Sequence, residues 1–341
     1  MRCVVKNLAL GSVLLAVACG GGGGGSSPTA PSATTTTTTP SVTFTGTVTN
    51  IVTGVVVAGA TITIGTVSAT SATDGTYSLA VMAAGTPSFS ASAQGYYTRE
   101  SAVSMSGSTT INSEIIPQGD GFNLEFFDWV FRENGTEGTR RPTVMPNYQI
   151  WTRQMQCTKL TDDGYYACER MEVIADSIPA IYEQHIRSGI AQFSRLTGGA
   201  FTNPTITTKT HPVGLVIPRN DWLTANGTVS LSYFPAGLWS DANSDGNNAY
   251  MSMGLSSTQP GHILHGWRAA EDLGIVTHEL AHSLGYGHPS GREKWPDSIM
   301  GDYQDGGYGI SAADELHGRI LYKRPNGSLT PDRDPAGTTI N

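Results

Sequence analysis

The chain has 341 residues, enough for two ordinary domains and some linker. Only 14% of them are charged, against about 25% in typical soluble domains, which with abundant Gly and Thr fits an exported surface protein better than a cytosolic enzyme. The net charge of −8 and the lack of a basic run argue against nucleic acid as a partner.

Residues 1–19 read as a signal peptide: Arg2 and Lys6 supply the positive start, and Leu8 to Ala18 is apolar but too short to span a bilayer. The ending Leu15-Ala16-Val17-Ala18-Cys19 resembles the lipobox of bacterial lipoproteins. That resemblance implies lipidation of Cys19 and an outer-membrane or cell-surface location, with plain secretion as the alternative. Residues 20–40, rich in Gly, Ser and Thr, form a polar tether of the kind that holds a folded domain away from a membrane.

Residues 41–117 read as all-β. Strands are expected at Thr43–Thr49, Ala60–Ile64, Thr76–Val81 and Ser88–Ala91, separated by turns at Thr53-Gly54, Asp74-Gly75 and Gln94-Gly95. The order of these signals, with Thr73-Asp74-Gly75-x-Tyr77-x-Leu79 at its centre and Gly95-Tyr96 at its end, resembles the carboxypeptidase regulatory-like domain. The resemblance implies a small prealbumin-like (Ig-like) sandwich acting as a spacer, with sugar or protein binding as the alternative. Residues 118–142 form a connector whose apolar run Phe126–Phe131 belongs in a core.

A second domain is expected over 143–324. Strands are read at Tyr148–Thr152 and Met171–Val173, and a helix from an Asp176 cap to about Leu196. Between the strands, Cys157 and Cys168 flank a hairpin turn. In an oxidising compartment a disulfide across it is the natural reading, the alternative being two free thiols. Asp241, Asn243 and Asp245 offer oxygens at alternate positions before a glycine. A polar surface turn is the first reading and Ca²⁺ the second, because Ser252 stands where a calcium loop needs glutamate. His262 and His265 read as loop histidines.

The most informative stretch is His278-Glu279-Leu280-Ala281-His282-Ser283-Leu284-Gly285-Tyr286-Gly287-His288. On a helix, His278 and His282 fall within about 40° of each other. Leu273, Val276, Leu280 and Leu284 fall on the opposite, core-facing side. Gly285 can end the helix in the left-handed conformation and return His288 to the same point. Three imidazoles suit Zn²⁺, and Glu279 is placed to take a proton from a water beside the ion.

This pattern, followed by Ser298-Ile299-Met300-Gly301, resembles the metzincin zinc endopeptidases. The helix and the closing segment Ile310–Tyr322 look most like matrixins, whereas Pro289 is closer to serralysins. The resemblance implies an α+β zincin-like catalytic domain behind the sandwich. It implies zinc on His278, His282 and His288, Glu279 as base and Met300 as support beneath the metal. It further implies a long helix backing a sheet whose edge strand, expected at Ala249–Met253, aligns a peptide substrate. Tyr303 stands one place beyond the position of an assisting tyrosine in some members. Residues 325–341 read as a flexible tail. The expectation is a monomeric, membrane-anchored zinc endopeptidase acting on protein or peptide; the competing class is a non-catalytic adhesion lipoprotein on the same fold.

Overall fold

The alternation Val42, Phe44, Gly46, Val48, Asn50 faces inward along Ser41–Asn50 (β1), while Ser41, Thr43 and Thr45 face water. The computed structural model describes residues 41–82, 84–105, 107, 109–160, 168–218, 227–235, 240–243, 261–266, 272–287, 292–301 and 309–340. The expectations for the leader, Cys19, the tether, Asp245, Ala249–Met253, His288 and Tyr303 lie outside these residues.

After β1 come Thr61–Ile64 (β2), Val67–Thr70 (β3), Thr76–Met82 (β4), Ser88–Ser92 (β5), Arg99–Ala102 (β6), Thr109–Thr110 (β7) and Ser113–Ile115 (β8). One sheet runs β4-β1-β7 with β8 also on β1; the other runs β3-β2-β5-β6. The core between them holds Phe44, Val48, Ile62, Ile64, Leu79 and Phe89. Tyr77 is buried there with its hydroxyl donating to the Ile111 carbonyl at 2.8 Å, and burial pushes its pKa up to about 12.

The apolar run of the connector is built into the main core, as its composition predicts. Asn123 caps a helix, Leu124–Phe131 (α1), accepting from the Phe126 amide. Phe126, Phe127, Trp129, Val130 and Phe131 are buried in the larger of the two main cores.

The second part contains strands Asn147–Trp151 (β9), Arg153–Leu160 (β10), Cys168–Ser177 (β11), Ile206–Lys209 (β12), Val216–Pro218 (β13), Thr228–Phe234 (β14), Ser240–Asn243 (β15) and Gly261–Gly266 (β16). Among the described residues they make a sheet of order β12-β9-β14-β16-β15 and a smaller one of order β10-β11-β13. In the larger sheet every pairing among the described residues is parallel except β15 with β16, so among those residues β15 is an antiparallel edge. Parallel strands need both faces covered. Tyr148, Ile150, Val229 and Leu231 share the main core with the helices, whereas Trp151 and Phe234 pack with Met155, Met171 and Val173 of the smaller sheet.

Helices Ala180–Ile190 (α2) and Phe193–Leu196 (α3) replace the single helix expected from Asp176. Asp176 is no cap. Its strand continues to Ser177, held opposite Arg153, and the helix begins after Pro179. His262 and His265 lie in β16 rather than in a loop, and Asp241 and Asn243 lie in β15.

The remaining helices are Leu273–His282 (α4) and Ala312–Tyr322 (α5). The segment after α5 is not the loose tail expected. Asp332 and Asp334 are buried and ion-paired, and residues 326–340 hydrogen-bond to the sandwich and to residues 139–141. Among the described residues no helix is long and apolar enough to cross a membrane.

Candidate metal centre

Helix α4 starts at Asp272, whose carboxylate accepts from the amides of Gly274 (2.7 Å) and Ile275 (3.2 Å). Val276, Leu280 and Leu284 are buried in the main core as their spacing predicts. Leu273 departs from that expectation: as the first helical residue it is 43% exposed.

His278, Glu279 and His282 are all buried, and their candidate ligand atoms lie within 4.8 Å of one another. Each imidazole is oriented by a backbone carbonyl. His278 Nδ1 is 2.5 Å from the Ile299 oxygen, and His282 Nδ1 is 2.7 Å from the Tyr286 oxygen. A carbonyl only accepts, so both rings carry a proton on Nδ1, which makes Nε2 the nitrogen that offers a lone pair in the neutral imidazole. The rings stand nearly perpendicular, at 87° with centroids 5.0 Å apart. Glu279 Oε2 is 3.9 Å from His282 Nε2. Two Nε2 atoms on one helix face with a carboxylate beside them fit a divalent metal of zinc's preference.

Gly285 has φ +93°, as the turn requires, and a second reason to be glycine: a Cβ there would collide with the Arg140 carbonyl oxygen. The next two residues are tied in. Tyr286 donates its hydroxyl to the carbonyls of Leu196 (2.8 Å) and Asp314 (2.9 Å), and the Gly287 amide donates to the Val130 carbonyl at 2.9 Å. Gly318 allows this approach, since a Cβ at that point of α5 would strike the Tyr286 hydroxyl.

The turn Ser298–Gly301 supplies the carbonyl that holds His278. Met300 within it is fully buried in the same core as Leu280 and Ala281. Trp295, which accepts the Ser298 amide, packs edge-on against Phe126 of α1.

One residue behind the two histidines has no sequence signal for its link to them. The buried carboxylate of Asp314 accepts from Ser298 Oγ (2.6 Å), the Ile299 amide (3.0 Å) and the Ser311 amide (2.8 Å). It therefore fixes the Ile299 peptide whose oxygen orients His278. Burial raises its pKa, and these hydrogen bonds oppose the shift. Ser311-x-x-Asp314 is legible as a capping box, but the link to Ser298 and Ile299 has no local sequence signal.

Cys157 and Cys168 sit in β10 and β11, opposite Met171 and Leu160 respectively.

The two-sheet arrangement of the N-terminal part accords with what known families show. Residues 43–115 match the carboxypeptidase regulatory-like domain. This match ends well before the histidine segment. No curated protein matches the chain. Among solved structures, a protein of unknown function from Bacteroides fragilis is similar at 21% identity, with a TM-score of 0.20 over 31% of this chain and 32% of that one. The chain thus spans about a third of that protein's length.

Proposed function

We propose that this chain is an exported zinc-dependent endopeptidase of the metzincin type, anchored through Cys19 and carrying the regulatory-like sandwich as a non-catalytic partner. The observation that carries the reading is the pair of imidazoles on α4, each with Nδ1 held by a carbonyl, beside Glu279. A helix backing a sheet with an antiparallel edge at β15 agrees with the metzincin resemblance. His278 and His282 would hold the ion, with His288 as the third ligand.

Bound there, zinc supplies Lewis acidity and lowers the pKa of a nearby water. Glu279 accepts the proton of the attacking water and returns it to the departing amine. The peptide lies extended along the edge of the sheet, read from the sequence at Ala249–Met253 and reached among the described residues at β15, and pairs through its backbone, so recognition depends little on sequence at most positions.

The test is Glu279→Gln in the full chain. Caseinolysis is expected to fall about 10³-fold while one zinc per chain is retained; turnover unaffected by the substitution, or a wild-type protein that takes up no zinc, removes the proposal. Surface binding that survives both the substitution and chelation would favour the adhesion reading. Mass spectrometry of the mature N-terminus reads the anchor directly: a diacylglyceryl-modified Cys19 supports it, and an unmodified N-terminus elsewhere overturns it.

A further inference from the structure

Residues 325–340 leave α5 and return to the sandwich. They extend the sheet edge at β6: the Glu100 amide donates to the Asp332 carbonyl, Asp334 to Glu100 and Ile340 to Ala102, each at 2.9 Å. Two buried bidentate pairs fix the crossing. Arg99 of β6 grips Asp334 with both bonds at 2.6 Å, and Arg324 at the end of α5 grips Asp332 at 2.6 and 2.8 Å. Arg324 also donates to the Glu114 carbonyl of β8 at 2.8 Å. Fork-to-carboxylate pairing of this kind fixes geometry more than it adds stability.

The same segment holds the connector. The Thr139 amide donates to Ser328 (2.9 Å), Gly327 donates to Thr139 (2.7 Å), and the Arg141 amide donates to Asn326 Oδ1 (2.9 Å). Arg132, fully buried at the end of α1, reaches the Ser328 carbonyl at 3.1 Å. Between Thr139 and Arg141 lies Arg140, whose carbonyl packs on Gly285 in the turn after the second histidine. A continuous series of contacts thus runs from the sandwich through residues 326–334 and the connector to that turn.

We propose that residues 325–340 are an intramolecular clasp through which the sandwich sets the Gly285–Gly287 turn, making Arg99, Arg324, Asp332 and Asp334 positioning residues for the metal centre. This rests on the metallopeptidase reading in one respect, that the turn serves a metal site. It assigns the sandwich a task within the catalytic unit rather than that of a spacer.

The full chain carrying Arg99→Leu with Asp334→Leu removes both charges of one pair together, so neither is left buried alone. Zinc affinity is measured by chelator competition, well below the melting temperature and with folding checked by circular dichroism. The expected result is a Kd weakened about tenfold, in the range seen when groups behind metal ligands are lost, with Arg99→Lys intermediate. A folded double variant whose zinc Kd stays within about twofold of wild type overturns the clasp and leaves the metallopeptidase reading intact. If the variant does not fold, hydrogen exchange of the wild type decides. The amides of Glu100, Thr139 and Gly287 exchanging in step with those of α4 support the clasp, and Thr139 and Glu100 exchanging freely while α4 stays protected overturn it. A wild type that binds no zinc sinks the metallopeptidase reading, whereas the exchange of Gly287 still reports on the clasp.

Discussion

The Asp314 carboxylate accepts from Ser298, Ile299 and Ser311 in a site with no water access of its own, and the Ile299 peptide passes that constraint to His278. Replacing Asp314 by Asn puts an amide nitrogen where at least one N–H or O–H now donates. The cost is that of a buried hydrogen-bond mismatch, about 2–3 kcal/mol of stability, and the loosened carbonyl weakens zinc binding about tenfold. Calorimetry and chelator competition read the two effects; a variant with wild-type zinc affinity would show that the Ile299 carbonyl does not depend on Asp314. His278, Glu279 and His282 were legible because their relation is local, fixed by helical spacing. Asp314 was not, because what it controls is made by tertiary approach. Gly285 shows both cases in one residue: its left-handed φ could be read from the motif, and the close passage of Arg140 could not.

Among the elements, the strands with clean alternation were readable. Val42-x-Phe44 in β1 and Tyr77-x-Leu79-x-Val81 in β4 each bury one face. β3 and β6 were not, since β3 presents no fully buried side chain and β6 carries Arg99 and Glu100, whose partners lie far along the chain. The start of α2 was misplaced because the ladder with β10 holds Asp176 and Ser177 in a strand, overriding a cap signal. Helix α4 obeys its signals: Asp272 accepts two of its first amides, and both histidines ride on it. Asp272→Ala should therefore cost about 1 kcal/mol, seen as a lower urea midpoint with an unchanged m-value. The fraying stays at the first turn, so kcat with a peptide substrate is expected within about twofold of wild type. A drop comparable with that of Glu279→Gln would mean the cap, not the core contacts of Val276 and Leu280, holds the histidines in place.

At the scale of the whole molecule, the sequence divides into module, connector, domain and tail, whereas the structure joins them through α1 and residues 325–340. The Pro- and Gly-containing tail looked loose because the partners that order it, Arg99, Arg132 and Thr139, are invisible to local pattern. His317 lies at the same junction, on α5 against α1. Its Nδ1 donates to the Ala313 carbonyl at 2.7 Å, its Nε2 accepts the Asn123 amide at 2.9 Å, and its ring stacks on Phe122 with centroids 5.0 Å apart. Burial lowers its pKa to about 4, against the two backbone hydrogen bonds that raise it. A histidine whose folded pKa is depressed stabilises the fold above its unfolded value, about 6.5, and that stability is lost as pH falls from there through about 4. The loss amounts to about 3 kcal/mol. Asp314, with its pKa raised by burial, works in the opposite sense, its contribution declining as pH rises through the folded value. Comparing wild type with His317→Gln separates the two, because Asp314 titrates in both. Urea unfolding at pH 7 and pH 4.5 should show the wild type losing most of that increment, and His317→Gln, less stable at pH 7, losing little beyond what the other groups contribute. Parallel pH dependences for the two proteins would mean that His317 is already protonated in the fold, with Nε2 donating to the Asn123 carbonyl 3.1 Å away instead of accepting its amide.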